Sequence, residues 1–200
     1  MTDIIKNFYN IHCSIKRDID EHLPTLRKYA NECSSIVELG VRDVVSTWAF
    51  AYGLYENDSN IKNIVMVDVI RDRNVDIFLS ACESANIKSK FILSNSVTAD
   101  IGDNIDLLFI DTLHVYGHLK RELSAHFSKV NKYIIMHDTE LFKNRGMDCN
   151  GHDTLGYSSL ELEKGLGPAI DEFLAEHPEW SIHEHYTNCN GLTILKKNVH

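Results

Sequence analysis

Short apolar runs at Ser35–Leu39, Asn63–Val67, Lys90–Leu93, Leu107–Ile110 and Tyr133–Met136 read as strands, because each is brief and nearly unbroken. The clearest unit lies between the last two. There Val115, Leu119, Leu123 and Phe127 recur at every fourth position, which predicts an amphipathic helix over Val115–Lys129. Strand, helix, strand in that order is a βαβ unit, and its strands are parallel. Helices are also predicted through Ser46–Phe50, over Asn74–Ala85, and over Pro168–Glu176, where Pro168 starts the helix and Pro178 follows its end. Trp180–Tyr186 alternates and Leu192–Leu195 is apolar, with Asn188-Cys189-Asn190-Gly191 between them, a β-hairpin signal that gives the sheet an antiparallel end.

Two stretches fall outside this alternation. In residues 1–31, Ile15, Ile19, Leu23 and Leu26 sit at spacings of three and four with a break at Pro24, predicting two short helices that cap the core from residue 33 onward. This segment either packs as a cap or reaches over the ligand edge, where Glu21 and His22 would face a substrate. Residues 139–167 keep no period and carry Asn144, Gly146, Asn150, Gly151 and Gly156, as a lid or substrate loop does, or a disordered segment. The prediction is one α/β domain of 200 residues, a mostly parallel Rossmann-like sheet with helices on both faces.

Composition narrows the function. A formal charge of −9 argues against a nucleic-acid partner. No apolar run approaches membrane-spanning length, and the start lacks the apolar core of a signal peptide. Five cysteines with no Cys-x-x-Cys pair suit free thiols in a reducing cytoplasm.

Parallel pairing brings the residues after both strands of the βαβ unit to one sheet edge: Asp111 and His114 after the first, His137 and Asp138 after the second. Open α/β sheets bind ligands along that edge. If the helix begins at Asp111, that residue and His114 lie one turn apart. Glu38-Leu39-Gly40 leads from a strand through a glycine turn to a helix, the geometry of a nucleotide crevice, and Asp68 ends the next strand, where such folds hold ribose hydroxyls. Each residue also has a plainer reading: Asp68 as a turn cap, Asp111 as a helix N-cap, His137 as a hydrogen-bonded structural histidine.

The order of elements from about residue 33 onward is similar to the class I S-adenosylmethionine-dependent methyltransferase fold. Val37-Glu38-Leu39-Gly40-Val41-Arg42-Asp43 with Ser46-Thr47, then Phe109-Ile110-Asp111-Thr112-x-His114-x-Tyr116, then His137-Asp138-Thr139, resembles the branch of macrolide-sugar, rhamnosyl and cephalosporin-biosynthesis O-methyltransferases. Pro168–Leu174 and Asn190–Ile194 also resemble its glycan-cluster members. The resemblance implies S-adenosylmethionine as cofactor, held by Glu38, Gly40, Arg42, Ser46, Thr47, Asp68, Ser96 and Asp111. It implies a divalent cation, magnesium or manganese, on Asp111, His137 and Asp138, with Asp111 and His114 catalytic and His114 the base. The acceptor it implies is a saccharide or nucleotide sugar, and its members tend to self-associate as homo-oligomers. Two positions depart from the pattern: Val44 stands where members carry glycine, and His137 replaces a carboxylate, which moves metal preference away from magnesium. Two other readings stay open: a catalytically inactive binding or scaffold protein, which Val44 and His137 favour, and a nicotinamide-dependent oxidoreductase, which lacks its Gly-x-Gly-x-x-Gly turn here.

Overall fold

A computed structural model describes residues 3–154 and 156–198. In chain order the elements are α1 (Asp3–Ser14), α2 (Leu23–Asn31), β1 (Ser35–Leu39), α3 (Val45–Glu56), β2 (Asn63–Asp68), α4 (Asn74–Ser84) and β3 (Lys88–Leu93). They continue with β4 (Ile105–Ile110), α5 (Tyr116–His126), β5 (Val130–His137), α6 (Ser159–Glu163), α7 (Leu166–Glu176), β6 (Trp180–Tyr186) and β7 (Leu192–Lys197). One seven-stranded sheet has the order β3-β2-β1-β4-β5-β7-β6. Pairings from β3 through to β5 are parallel, and β7 lies antiparallel to both β5 and β6.

Strand residues alternate between two cores. Ile36, Ile64, Leu107 and Ile135 join the helices α1–α4 on one face, while Val37, Val65, Leu108 and Ile134 join α5 and α7 on the other. Burial on both faces is why the central strands are apolar at every position instead of every second one. Helix α3 is apolar all round because it is wedged between the sheet and α1–α2, with Val45–Leu54 all buried. Gly53 permits that wedge, since a Cβ there would fall 2.4 Å from the Arg27 carbonyl oxygen.

Four expectations are corrected. Ile15 does not continue a helix: α1 ends at Ser14, residues 15–19 run irregularly and a 3-10 turn spans Asp20–His22, with the Arg17 N–H held by Asp20 Oδ1 and the Asp18 carbonyl by His137. Helix α5 starts at Tyr116, after an extended Val115, so Asp111 and His114 lie in a loop and not on one helical turn. The 139–167 stretch contains α6, started by a Ser158–Glu161 capping box. Helix α7 begins two residues ahead of Pro168.

Val44 precedes α3 in the left-handed region, at φ 66° and ψ 29°, which explains the glycine that the resemblance leads one to expect. A β-branched side chain there costs on the order of 1–2 kcal/mol. Val44 is also fully buried, and deleting its side chain forfeits about 2 kcal/mol of burial. The two nearly cancel. Val44→Gly is therefore expected to change unfolding free energy by less than about 1 kcal/mol in a urea titration, well short of an ordinary buried large-to-small change.

Candidate active site

The tips of β2, β1 and β4 are tied together by backbone. The Gly40 N–H donates to Val67 O and the Asp111 N–H to Leu39 O, each at 2.9 Å. Gly40 adopts φ +84°, and a Cβ on it would lie 1.9 Å from the Asp111 carbonyl oxygen, so the turn closes only with glycine. The Val41 and Arg42 N–H groups donate to Asp68 Oδ2 at 2.8 and 3.0 Å, and the Ile70 N–H donates to Oδ1 at 3.0 Å. Asp68 therefore does cap the loops, using three acceptor positions of the roughly four that a carboxylate offers.

Beneath this turn Glu38 is wholly buried. The Ser46 hydroxyl donates to its Oε1, while Oε2 and the neighbouring Thr47 hydroxyl have no hydrogen-bond partner among the described residues. Burial pushes the Glu38 carboxyl up to about 8. Arg42 points outward, 3.6 Å from Asp18. Ser96, on the loop leaving β3, is buried and hydrogen-bonds His118 of α5.

Beside β1, the tips of β4 and β5 converge. His114 Nε2 lies 3.0 Å from Asp111 Oδ1 and 3.0 Å from Asp138 Oδ2. One imidazole nitrogen carries at most one proton, so it cannot fully satisfy both oxygens. A cation about 2.1 Å from each donor would set neighbouring donors about 3.0 Å apart. Asp111, His114 and Asp138 together are a set that could hold a metal ion. Asp138 is buried, and its Oδ1 has no partner among the described residues. Its own backbone is left-handed at φ 60°, a conformation that aspartate tolerates and that turns the carboxylate inward.

His137 sits below this set. Its Nε2 lies 3.1 Å from Asp18 O and 3.0 Å from Cys189 O, so that nitrogen donates to backbone carbonyls and is not free to bind metal. Nδ1 faces the acids at ion-pair distance, 3.5 Å from Asp111 and 3.7 Å from Asp138. Burial lowers the His137 pKa, but the Asp111 carboxylate outweighs it and the group rises to about 9. Burial likewise works against ionised Asp111, yet His114 and His137 hold it well below the usual carboxylate range. Asp138 is raised, by burial first.

The structure thus brings Asp111, His114, His137 and Asp138 together, with Glu38 and Gly40 on the adjoining tip, and leaves Arg42 at the surface. Sequence reading missed what holds His114. Phe142 stacks on its ring, with centroids 4.9 Å apart and planes at 8°, and Met147 pairs with its backbone. Neither residue carries a local pattern that would have pointed to it. The irregular 15–22 segment does reach this edge: Arg17 pairs with Asp43 at 3.1 Å, and His22 Nε2 lies 3.0 Å from Asn188 O. The hydrogen bonds of Glu21 run to Lys16 and Asn188.

A parallel sheet whose order reverses between β1 and β4, closed by an antiparallel pair, is the class I methyltransferase fold. No family model matches the chain, and no curated protein matches it. Solved structures do. The SAH-bound methyltransferase PaMTH1 of Podospora anserina is 16% identical at a TM-score of 0.62, over 98% of this chain and 88% of that one. An O-methyltransferase from Bacillus cereus in complex with SAH is 14% identical at 0.58, over 97% and 90%. The N-methyltransferase NodS of Bradyrhizobium japonicum with S-adenosyl-L-homocysteine (SAH) is 12% identical at 0.57, over 92% and 90%. At these identities the likeness establishes the fold. Among the described residues no helix is long and apolar enough to cross a membrane, and all five cysteines are free.

Proposed function

We propose that the chain is an S-adenosylmethionine-dependent O-methyltransferase acting on a hydroxyl of a sugar or glycosylated small molecule, with a divalent cation beside the acceptor. The observation that carries this reading is the meeting of Asp111, His114 and Asp138 at 3.0 Å on the edge of the sheet where such folds bind ligands. Solved structures of the same fold with SAH bound support the cofactor. So does the unpartnered oxygen of Glu38, since both the sulfonium and the ammonium of S-adenosylmethionine are cations.

When bound, S-adenosylmethionine supplies an activated methyl group with its own leaving group, and a divalent cation, magnesium or manganese, acidifies a coordinated hydroxyl. In this reading Glu38, Gly40, Arg42, Ser46 and Thr47 serve the methionine side. Asp68, with one acceptor position left, and Ser96 serve the adenosine side. Asp111 and Asp138 hold the cation and His137 orients them from below. With the cation held by the two carboxylates alone, His114 Nε2 stays off the metal and takes the hydroxyl proton. A saccharide or nucleotide-sugar acceptor, self-association and a cytoplasmic setting belong to the same reading.

His114→Ala is expected to leave SAH affinity within about twofold while lowering methyl transfer by about 10²–10⁴-fold. A variant that still turns over at the wild-type rate removes the base assignment. The inactive-scaffold reading draws on the three N–H groups already bonded to Asp68. Calorimetric titration with SAH, and with NAD as a control, separates the readings: SAH alone binds an active methyltransferase, and neither binds a scaffold that has lost its crevice.

A further inference from the structure

We propose that His118 is a positioning residue that seats the stretches 139–154 and 156–165 through Tyr157, so that closing them and binding the cofactor are coupled. The identity of the cofactor rests on the methyltransferase reading; the latch itself rests on geometry. His118 lies in the first turn of α5 and is buried, with both ring nitrogens engaged. Nε2 is 3.0 Å from the Ser96 hydroxyl and 3.2 Å from Glu122 Oε1. Nδ1 is 2.7 Å from the Tyr157 hydroxyl.

Glu122 is fully buried, and the Thr112 hydroxyl donates to its two oxygens at 2.8 and 3.0 Å. An N–H on Nε2 of His118 suits the Glu122 oxygen 3.2 Å away. In the neutral ring carrying that N–H, Nδ1 accepts a hydrogen bond from the Tyr157 hydroxyl. Removing that hydroxyl leaves a buried acceptor unpaired. Arg121, one turn along, reinforces the seat: its guanidinium lies 3.8 Å over the Tyr157 ring and donates to Gly156 O at 3.0 Å and to Glu161 at 2.9 Å. Gly117 leaves the room, since a Cβ there would fall 2.6 Å from Glu161 Cβ and 3.1 Å from the Tyr157 ring.

The latch connects to the candidate site at both ends. Ser96 and Thr112 belong to the loops leaving β3 and β4, on the same edge as Asp68 and Asp111. The other end of the segment, through Phe142 and Met147, holds His114. A ligand entering between those loops therefore meets groups whose orientation depends on whether Tyr157 is seated. Coupling of this kind is reciprocal: whatever factor the cofactor contributes to closure, loss of closure removes from cofactor affinity.

The test combines SAH calorimetry with limited proteolysis of the full chain, cleavage being followed within residues 143–154. In wild type, SAH is expected to slow cleavage about fivefold or more, and Tyr157→Phe to weaken SAH binding about tenfold and speed cleavage of the free protein. His118→Gln, whose amide reaches the Nε2 position and leaves no polar atom facing Tyr157, should match it, and the double variant should add nothing further, because the two residues act through one bond. Bound SAH with unchanged cleavage, full additivity of the two substitutions, or Tyr157→Phe within about twofold of wild-type SAH affinity overturns the coupling. Absence of SAH binding by wild type instead removes the methyltransferase reading, and the coupling with it.

Discussion

Replacing Asp138 with Asn is expected to weaken manganese binding by about a hundredfold or more while leaving the protein at least as stable at neutral pH. The loss follows from charge: Asp111 and Asp138 are the two carboxylates that flank His114, and together they offset a divalent cation there. The retained stability follows from burial. Asp138 is buried, has an oxygen without a partner among the described residues, and is shifted toward its neutral form. A neutral amide of the same shape removes that desolvation cost, and Asn also tolerates the left-handed backbone at φ 60°. Asp138→Ala lacks that tolerance and should lose stability as well as metal. Isothermal calorimetry with manganese and a denaturant titration read the two effects separately. An Asn variant that binds manganese like wild type would show that Asp138 is a structural acid only.

The second large effect is at Glu38. Its carboxyl is pushed up to about 8 by burial, against an ordinary value of 4.5. Between these values the folded chain keeps a proton that the unfolded chain releases. The protonated group therefore supports folding fully below pH 4.5, and that contribution fades as pH rises toward 8. Glu38→Gln keeps an acceptor for Ser46 and has no proton to lose. The stability difference, variant minus wild type, should grow with pH by up to about 1.4 kcal/mol per unit and level off near pH 8. Urea midpoints from pH 4 to 9 measure it, and a flat difference would mean that Glu38 titrates alike in the folded and unfolded chain. The same device suits a site for a cationic ligand, since a buried carboxylate without a counter-charge gains most from one.

Much of this site was legible because strand tips are set by topology. Two apolar runs joined by a period-four helix must lie parallel, so Asp111 and Asp138 had to reach the same edge once the runs were recognised. The glycine turn at Gly40 was legible for the same reason. What escaped was set by distant backbone. His137 Nε2 is claimed by the carbonyls of Asp18 and Cys189, 119 and 52 residues away, which leaves Nδ1 as the nitrogen that faces Asp111 and Asp138. Asp111 and His114 do meet, though through a loop that Val115 ends in an extended conformation and not through a helical turn. Ile15 carried helical spacing, yet the chain from Ile15 to Ile19 is pinned across the sheet edge through Arg17 and Asp18. Phe142 and Tyr157 lie in a stretch without period, where side chains are recruited one at a time by α5 and the β4 loop.

The most direct measurement is anomalous diffraction at the manganese edge from crystals grown with SAH and manganese. One peak within about 2.0–2.3 Å of carboxylate oxygens from both Asp111 and Asp138, with SAH density beside Gly40, is the expected result. Bound SAH with no peak between those two acids at saturating manganese would contradict it.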